Sequence, residues 1–463
     1  MAHPEAKILI PAGALGIPYD RKALARGLEH APDLIAIDGG STDSGPYYLG
    51  TGTSKYSRTA TKADWADLMA ARAAAGVPLL IGTAGTSGAD SAVDWMLDIT
   101  LEIARERGET LKIATLKSGQ EKPAIITALK SGAITPLEGA PDLDIEIVEQ
   151  TTNIVALAGI EQIQAALASG ADIIIAGRAT DTAIIAALPI ARGCHKGAAW
   201  HGAKIAECGA LATTNPNSGV ILMRFDETGF TITPLAEDTA ATPYTVSAHM
   251  LYENADPYIL HEPGGWLDVR EAHYTALDDV SVRVEGSIWH DTTPYTVKLE
   301  AARRAGYQTV SFVLVRDAHY REHIEDWAAA LTASFQKKAA RNGLSNTKLE
   351  LRVIGRNATL GALENRGAYE NWGAYENRDV SAGEVGVMAI FTSPTQQQAN
   401  EAAKLLNPDL LHLPLTPHEP MPTFAFPFSP PEMDRGASYE FCLHHIMAID
   451  DPLCVFRLDI IES

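Results

Sequence analysis

One pattern limits what this chain can fold into. Short apolar runs, each closing on small or polar residues, recur with helical stretches between them. "KILIPAGALG", "LIAIDGG", "VPLLIGTAGTSG", "LKIATLKSGQ" and "ADIIIAGRATDT" each read as a strand buried on both faces. "DIEIVEQTTN" reads as a further strand of the series. Between them lie helical segments near residues 21–30, 61–75 and 89–108. Strand, loop, helix, strand in this rhythm predicts parallel βαβ units. An α/β fold follows, with an open, mostly parallel sheet flanked by helices over residues 1–280 and a barrel as the alternative.

The rhythm then changes. "VSVRVEGSIW" and "YQTVSFVLVRD" read as neighbouring antiparallel strands, followed by a long helix near 321–341, two more strands and a second helix. That order predicts a smaller α+β, ferredoxin-like domain over 281–415. The tandem pentapeptide "GAYENWGAYEN" is too short for a solenoid and reads as a loop. In the remainder, 416–463, a Pro-rich wrap precedes "YEFCLHHIMAI", read as one closing helix.

Composition narrows the function. A formal charge of −21 disfavours nucleic acid and anionic membrane surfaces as partners. No apolar run reaches the length of a membrane span, and the N-terminus lacks the regions of a signal peptide. Cys194, Cys208, Cys442 and Cys454 show no CxxC pairing, which fits a reducing compartment. A cytoplasmic protein with a small-molecule substrate is expected, as a homo-oligomer.

In open parallel sheets, ligands bind beyond the carboxyl ends of the strands, and here those ends are rich in polar groups. "DGGSTDSG" offers Asp38 and Asp43 as acid–base carboxylates, with Ser41 and Thr42 as hydrogen-bonding groups. "GTAGTSG" contributes Gly85, Thr86 and Ser87 at a helix start, where amides could hold an anion; close helix–strand packing is the plainer account. The stretch is neither GxGxxG nor GxxxxGK[ST], so neither NAD nor ATP is indicated as cofactor. Arg178 is the candidate clamp for a carboxylate, against a plain salt bridge to Asp181, with Thr182 close by. Helix capping is the bland reading for each Ser, Thr or Asp alone, but several of these loops carry more polar groups than a cap requires.

Two further stretches carry chemistry. "AKIAECGA" places Glu207 as a general acid or base beside Cys208, a nucleophile only with a base next to it and otherwise an inert buried thiol. "ILHEPGGW" offers His261 as a proton shuttle, next to Glu262. "GCHKG" and "CLHH" lack the second cysteine of a zinc finger, so structural zinc is not expected; a divalent ion on Asp38, Asp43 and Asp181 stays open as a separate option.

Taken together, "DGGSTDSGPYYLGTG", "IGTAGTSGADS", "IAGRATDTA", "ECGALA", "HEPGG" and "FSPPEMDRGASYEF" resemble the acyclic terpene utilisation (AtuA)-like family, from about Lys7 to Glu440. The family is named for a gene cluster that degrades branched terpenoid acids through CoA thioesters. The resemblance therefore implies small-molecule catabolism. With no redox motif, P-loop or nucleophile elbow, the expectation is proton-transfer chemistry on a small carboxylic acid or its CoA thioester: hydration, dehydration or isomerisation. The rivals are a hydrolase or ring-opening enzyme using Cys208 or a metal-bound water, and a non-catalytic subunit of an acyl-CoA-processing complex.

Overall fold

A computed structural model describes residues 3–355, 358 and 383–463; the tandem pentapeptide at 367–377 lies outside the described residues. The chain forms two compact units, Met1–Arg303 with Glu440–Ser463, and Arg304–Tyr439.

The first unit is built on an open ten-stranded sheet. At its centre lie five parallel strands, in the order Ala6–Ile10, Leu34–Asp38, Leu79–Gly82, Ile173–Ala176 and Lys112–Lys117. Their alternation is strict. Ile8, Ile10, Leu34, Ala36, Leu80 and Ile174 pack into a core on one face, with the helices Ile160–Ala168, Ala183–Ala191 and Lys196–Ala206. Leu9, Ile35, Ile37, Leu79, Ile81 and Ile175 pack on the other, against Arg58–Ala75 and Asp90–Arg107. Two cores explain why these strands read as unbroken apolar runs. Each large apolar side chain so buried contributes about 1.5–3 kcal/mol.

Antiparallel strands extend both sides of this core. Ile221–Phe225, Gly229–Pro234, Val282–Glu285 and His273–Ala276 continue it beyond Ala6–Ile10, and Arg457–Glu462 closes the side at Lys112–Lys117. The strand within "VSVRVEGSIW" therefore pairs with Gly229–Pro234 and not with "YQTVSFVLVRD". Alternation identifies a strand but leaves its partner open. The first unit accordingly runs past residue 280, where the rhythm changes.

Two local readings need correction. "DIEIVEQTTN" divides into the helix Ile145–Gln150, capped by Asp144 accepting from the Ile147 amide at 2.8 Å, and the strand Thr151–Ala156. "YEFCLHHIMAI" is no helix but the end of the strand Glu432–Ile449. Leu443, His445, Met447 and Ile449 are buried in alternation, a period of two, and His445–Met447 pair with Ile134–Pro136.

The second unit is a two-layer α+β structure of the expected ferredoxin-like kind. Among the described residues from Arg304 the order is strand, helical segment, strand, strand, helix, strand, with the short Ala318–Glu322 preceding the long Ile324–Arg341, and Gln396–His412 as the second long helix. The central pairing sets Tyr307–Val315 against Val385–Ser393, which in turn pairs with Lys348–Ile354. Trp327, Leu331, Phe335, Leu406 and Leu410 bury the helices on this sheet.

Candidate active site

Three neighbouring parallel strands end side by side. Asp38 and Gly82 are register partners, Thr83 follows directly, and Arg178 lies two residues beyond Ile173–Ala176. The two glycines after Asp38 are there for space. A Cβ on Gly39 would lie 2.6 Å from the Thr83 carbonyl oxygen, and Gly40 (φ +115°) passes against the Thr86 backbone. Thr83 (φ 43°) and Thr86 (φ 86°) both adopt the left-handed region, which β-branched residues rarely enter. Strain of this kind concentrates at functional loops.

Asp38 is buried, and burial, with the Asp181 charge added, pushes its carboxyl well above the usual carboxylate range. One oxygen, Oδ2, accepts from the Gly40 amide at 2.9 Å; the other, Oδ1, is buried with no partner among the described residues.

Arg178 is not a free clamp. Its Nε donates to Glu300 at 3.0 Å, and Nη1 donates to the Thr83 hydroxyl at 3.3 Å and the Ala179 carbonyl at 3.2 Å. The salt bridge weighed against the clamp exists, but Asp181 is the more distant acid at 3.8 Å. Glu300, from the strand Tyr295–Val315, also takes Lys298 at 2.8 Å and the Thr42 hydroxyl at 3.1 Å. Burial alone would raise Glu300, but Arg178 and Lys298 outweigh it and hold the carboxyl at about 2.

A second group of titratable side chains closes on Asp181. The helix Lys196–Ala206 ends with Lys204 on Glu207, one turn apart, their side chains only 4% and 8% exposed. Burial raises Glu207 to about 8 against the pull of Lys204. Glu262 accepts from the Thr182 hydroxyl at 2.6 Å, while its Oε2 is buried without a partner among the described residues. Burial pushes Glu262 to about 7 although the hydroxyls of Thr182 and Thr180 oppose it. His249 is likewise buried with Nε2 unpartnered, and burial, assisted by Lys204, lowers it to about 4. Asp181 keeps 32% of its side chain open and links the groups electrostatically, raising both Asp38 and Glu207.

Asp38, Arg178, Asp181, Thr182 and Glu207 thus come together; other expected residues do not. Ser41 and Asp43 form a local turn, Ser41 Oγ accepting from the Asp43 amide at 3.3 Å, and Asp43 is exposed. Its charge still acts on Asp181. Gly85 packs its backbone against Ala92, where a Cβ would approach to 2.8 Å. The amides of Thr83, Ala84, Thr86 and Gly88 already donate to carbonyls, and Ser87 Oγ accepts from the Ala89 amide at 3.5 Å, so close packing accounts for most of this loop. His261 is exposed, opposite Trp266 in the hairpin, and strand alternation turns its neighbour Glu262 toward the acids instead. Sequence reasoning missed the roles of Glu300, Lys204 and His249. Only the i, i+3 spacing of Lys204 and Glu207 signals any of them.

Cavities of about 320 Å³, lined by Asp90, Lys122 and Asn153, and about 540 Å³, lined by His319, Tyr320 and Phe424, lie apart from these acids. Unpartnered buried polar atoms mark a site better than volume does, because each costs stability unless a ligand completes it.

A family model, acyclic terpene utilisation family protein AtuA, matches residues 69–414 of the 463. The chain belongs to the AtuA family. Membership implies involvement in acyclic terpene utilisation, a catabolic role. No curated protein and no solved structure matches the chain. The span matched by the AtuA model carries Arg178, Asp181, Glu207, His249, Glu262 and Glu300, with Asp38 preceding it. Among the described residues, no helix is long and apolar enough to cross a membrane.

Proposed function

We propose that this AtuA-family chain is a catabolic enzyme that moves a proton on a small carboxylic acid or its CoA thioester, in a hydration, dehydration or isomerisation. The observation that carries this reading is a pair of carboxyl groups, Asp38 and Glu262, each with one buried oxygen left without a partner among the described residues. A substrate hydroxyl, or an acidic C–H next to a carbonyl, would complete those oxygens. Glu262, at about 7, can both take and return a proton at neutral pH. Asp38, raised by burial, serves as the proton-holding partner. The Thr180 and Thr182 hydroxyls and the Lys204 ammonium supply hydrogen bonds and positive charge for the substrate carbonyl. In this reading Arg178 and Glu300 are the frame that sets Thr42 and Thr83 in place.

The nucleophile version of the rival is less well supported. Burial, and after it the negative charge of Glu207, raise Cys208 far above its ordinary value, which keeps the thiol protonated.

The test is solvent exchange. The purified chain is incubated in D2O with a panel of branched acyclic acids and their CoA thioesters, and deuterium uptake next to the carbonyl is followed by mass spectrometry. Exchange on at least one member, lost in Glu262→Gln with the fold retained, is the expected result. A panel without exchange or turnover, or full exchange in Glu262→Gln, overturns the proposal; activity restored only by a co-purifying protein favours the subunit reading.

A further inference from the structure

One group in the cluster has no task in the acid–base reading. Glu207, Cys208 and His249 each bring a ligand atom to one place, all within 4.8 Å of one another. Glu207 and Cys208 follow the end of the helix Lys196–Ala206, and His249 opens the turn His249–Leu251. His249 is only 5% exposed, yet its Nε2 has no hydrogen-bond partner among the described residues. An imidazole nitrogen buried in that state is costly unless something outside the protein completes it.

The donor set names the ligand class. One sulfur, one nitrogen and one carboxylate oxygen are too soft for magnesium or calcium, which take oxygen ligands. Three protein ligands of this kind, with a further position open, are the pattern of non-structural zinc sites. The Lys204 ammonium, bonded to Glu207, is a positive charge in the same field and competes with such an ion. We propose that Glu207, Cys208 and His249 form a binding site for one zinc-class divalent cation, with one position left to water or substrate. This differs from the trio expected of the sequence, Asp38, Asp43 and Asp181, of which Asp43 is exposed and held in its own turn. On binding, the Cys208 S–H bond breaks, its proton passes to solvent and the sulfur joins the metal.

The inference shares the cluster with the proton-transfer reading but not its chemistry, and it is tested without turnover. The full chain, stripped with a chelator, is titrated with zinc chloride by calorimetry in two buffers of different ionisation enthalpy, and with cobalt chloride by absorption. Expected are one ion per chain, proton release, a thiolate-to-cobalt charge-transfer band and a raised melting temperature. Cys208→Ser and His249→Ala should each weaken zinc at least ~100-fold, since even groups that only orient a ligand cost 10–100-fold. Lys204→Met, which removes the competing cation, should tighten it. Absence of stoichiometric binding in wild type and in Lys204→Met overturns the site. So does zinc affinity unchanged in folded Cys208→Ser and His249→Ala. Deuterium exchange by the metal-free chain is read separately, so either proposal can fail alone.

Discussion

The two halves of the acid cluster treat buried carboxylates in opposite ways. At Glu300 the network is complete: Arg178 and Lys298 neutralise it, Thr42 adds a hydrogen bond, and the carboxyl is held at about 2. At Glu262 and Asp38 the network is incomplete, each keeping one oxygen unpartnered among the described residues, and burial raises both. A complete buried ion pair has nothing left to offer a ligand. An incomplete one retains unmet hydrogen-bonding capacity, so the first half reads as frame and the second as chemistry.

The largest expected effect tests the frame. Arg178→Ala should destabilise the chain by about 3–5 kcal/mol, because it breaks a buried ion pair and leaves the Glu300 carboxylate to the partly exposed Lys298. Chemical denaturation measures this; an unchanged midpoint would return Arg178 to the role of substrate clamp that its strand-end position suggests.

Asp38→Asn addresses the other half. Asparagine keeps the shape and the turn, since Asn and Asp cap about equally well, but it cannot exchange a proton. Proton exchange, once a substrate supports it, should fall at least ~100-fold in a chain that melts normally. Near-wild-type exchange would make Asp38 scaffolding.

The contrast also predicts opposite pH dependences. Glu300 titrates at about 2 in the folded chain against an ordinary 4.5, so its contribution is present above 4.5 and is lost as pH falls toward 2. Glu262 titrates at about 7 against 4.5, so the folded chain holds the extra proton and stability falls as pH rises from 4.5 to 7. Glu262→Gln should remove that fall and leave the variant more stable than wild type at pH 8, on the order of 2 kcal/mol. Melting curves across pH check both arms, and a variant with the wild-type profile above pH 5 would count against a raised Glu262.

The smallest effect sharpens the boundary between the halves. Thr42→Val removes one hydrogen bond to Glu300 but leaves both cations, and should cost about 1.5 kcal/mol. Exchange kinetics should be nearly untouched; a large kinetic loss would place Thr42 against substrate.

Much of this fold is legible in the chain. The parallel strands announce themselves because burial on both faces requires unbroken apolar runs, and Asp38 and Arg178 are conspicuous as the first charges after them. Strand partners are less legible. Val282–Glu285 alternates like any strand, and nothing local says that its neighbour is Gly229–Pro234. In "YEFCLHHIMAI", apolar residues at adjacent positions satisfied a helical reading, while the observed period of two comes from a sheet that segments far away in sequence complete.

For the candidate site, residue types and strand-end positions were readable, but the allocation of charge was not. Arg178 and Glu300 are 122 residues apart, and Lys298 and Glu300 look like ordinary strand charges. His261 drew attention by residue type, whereas the alternation of its strand turned Glu262 inward and left His261 exposed. Periodicity, turn chemistry and capping act within a few residues, so the sequence by itself determined the α/β rhythm, the polar loops and the family. Whether a buried charge is answered or left open depends on distances between segments remote in the chain. Only the tertiary structure decided that Arg178 is answered by Glu300, and that Asp38, Glu262 and His249 each keep one buried polar atom unanswered among the described residues.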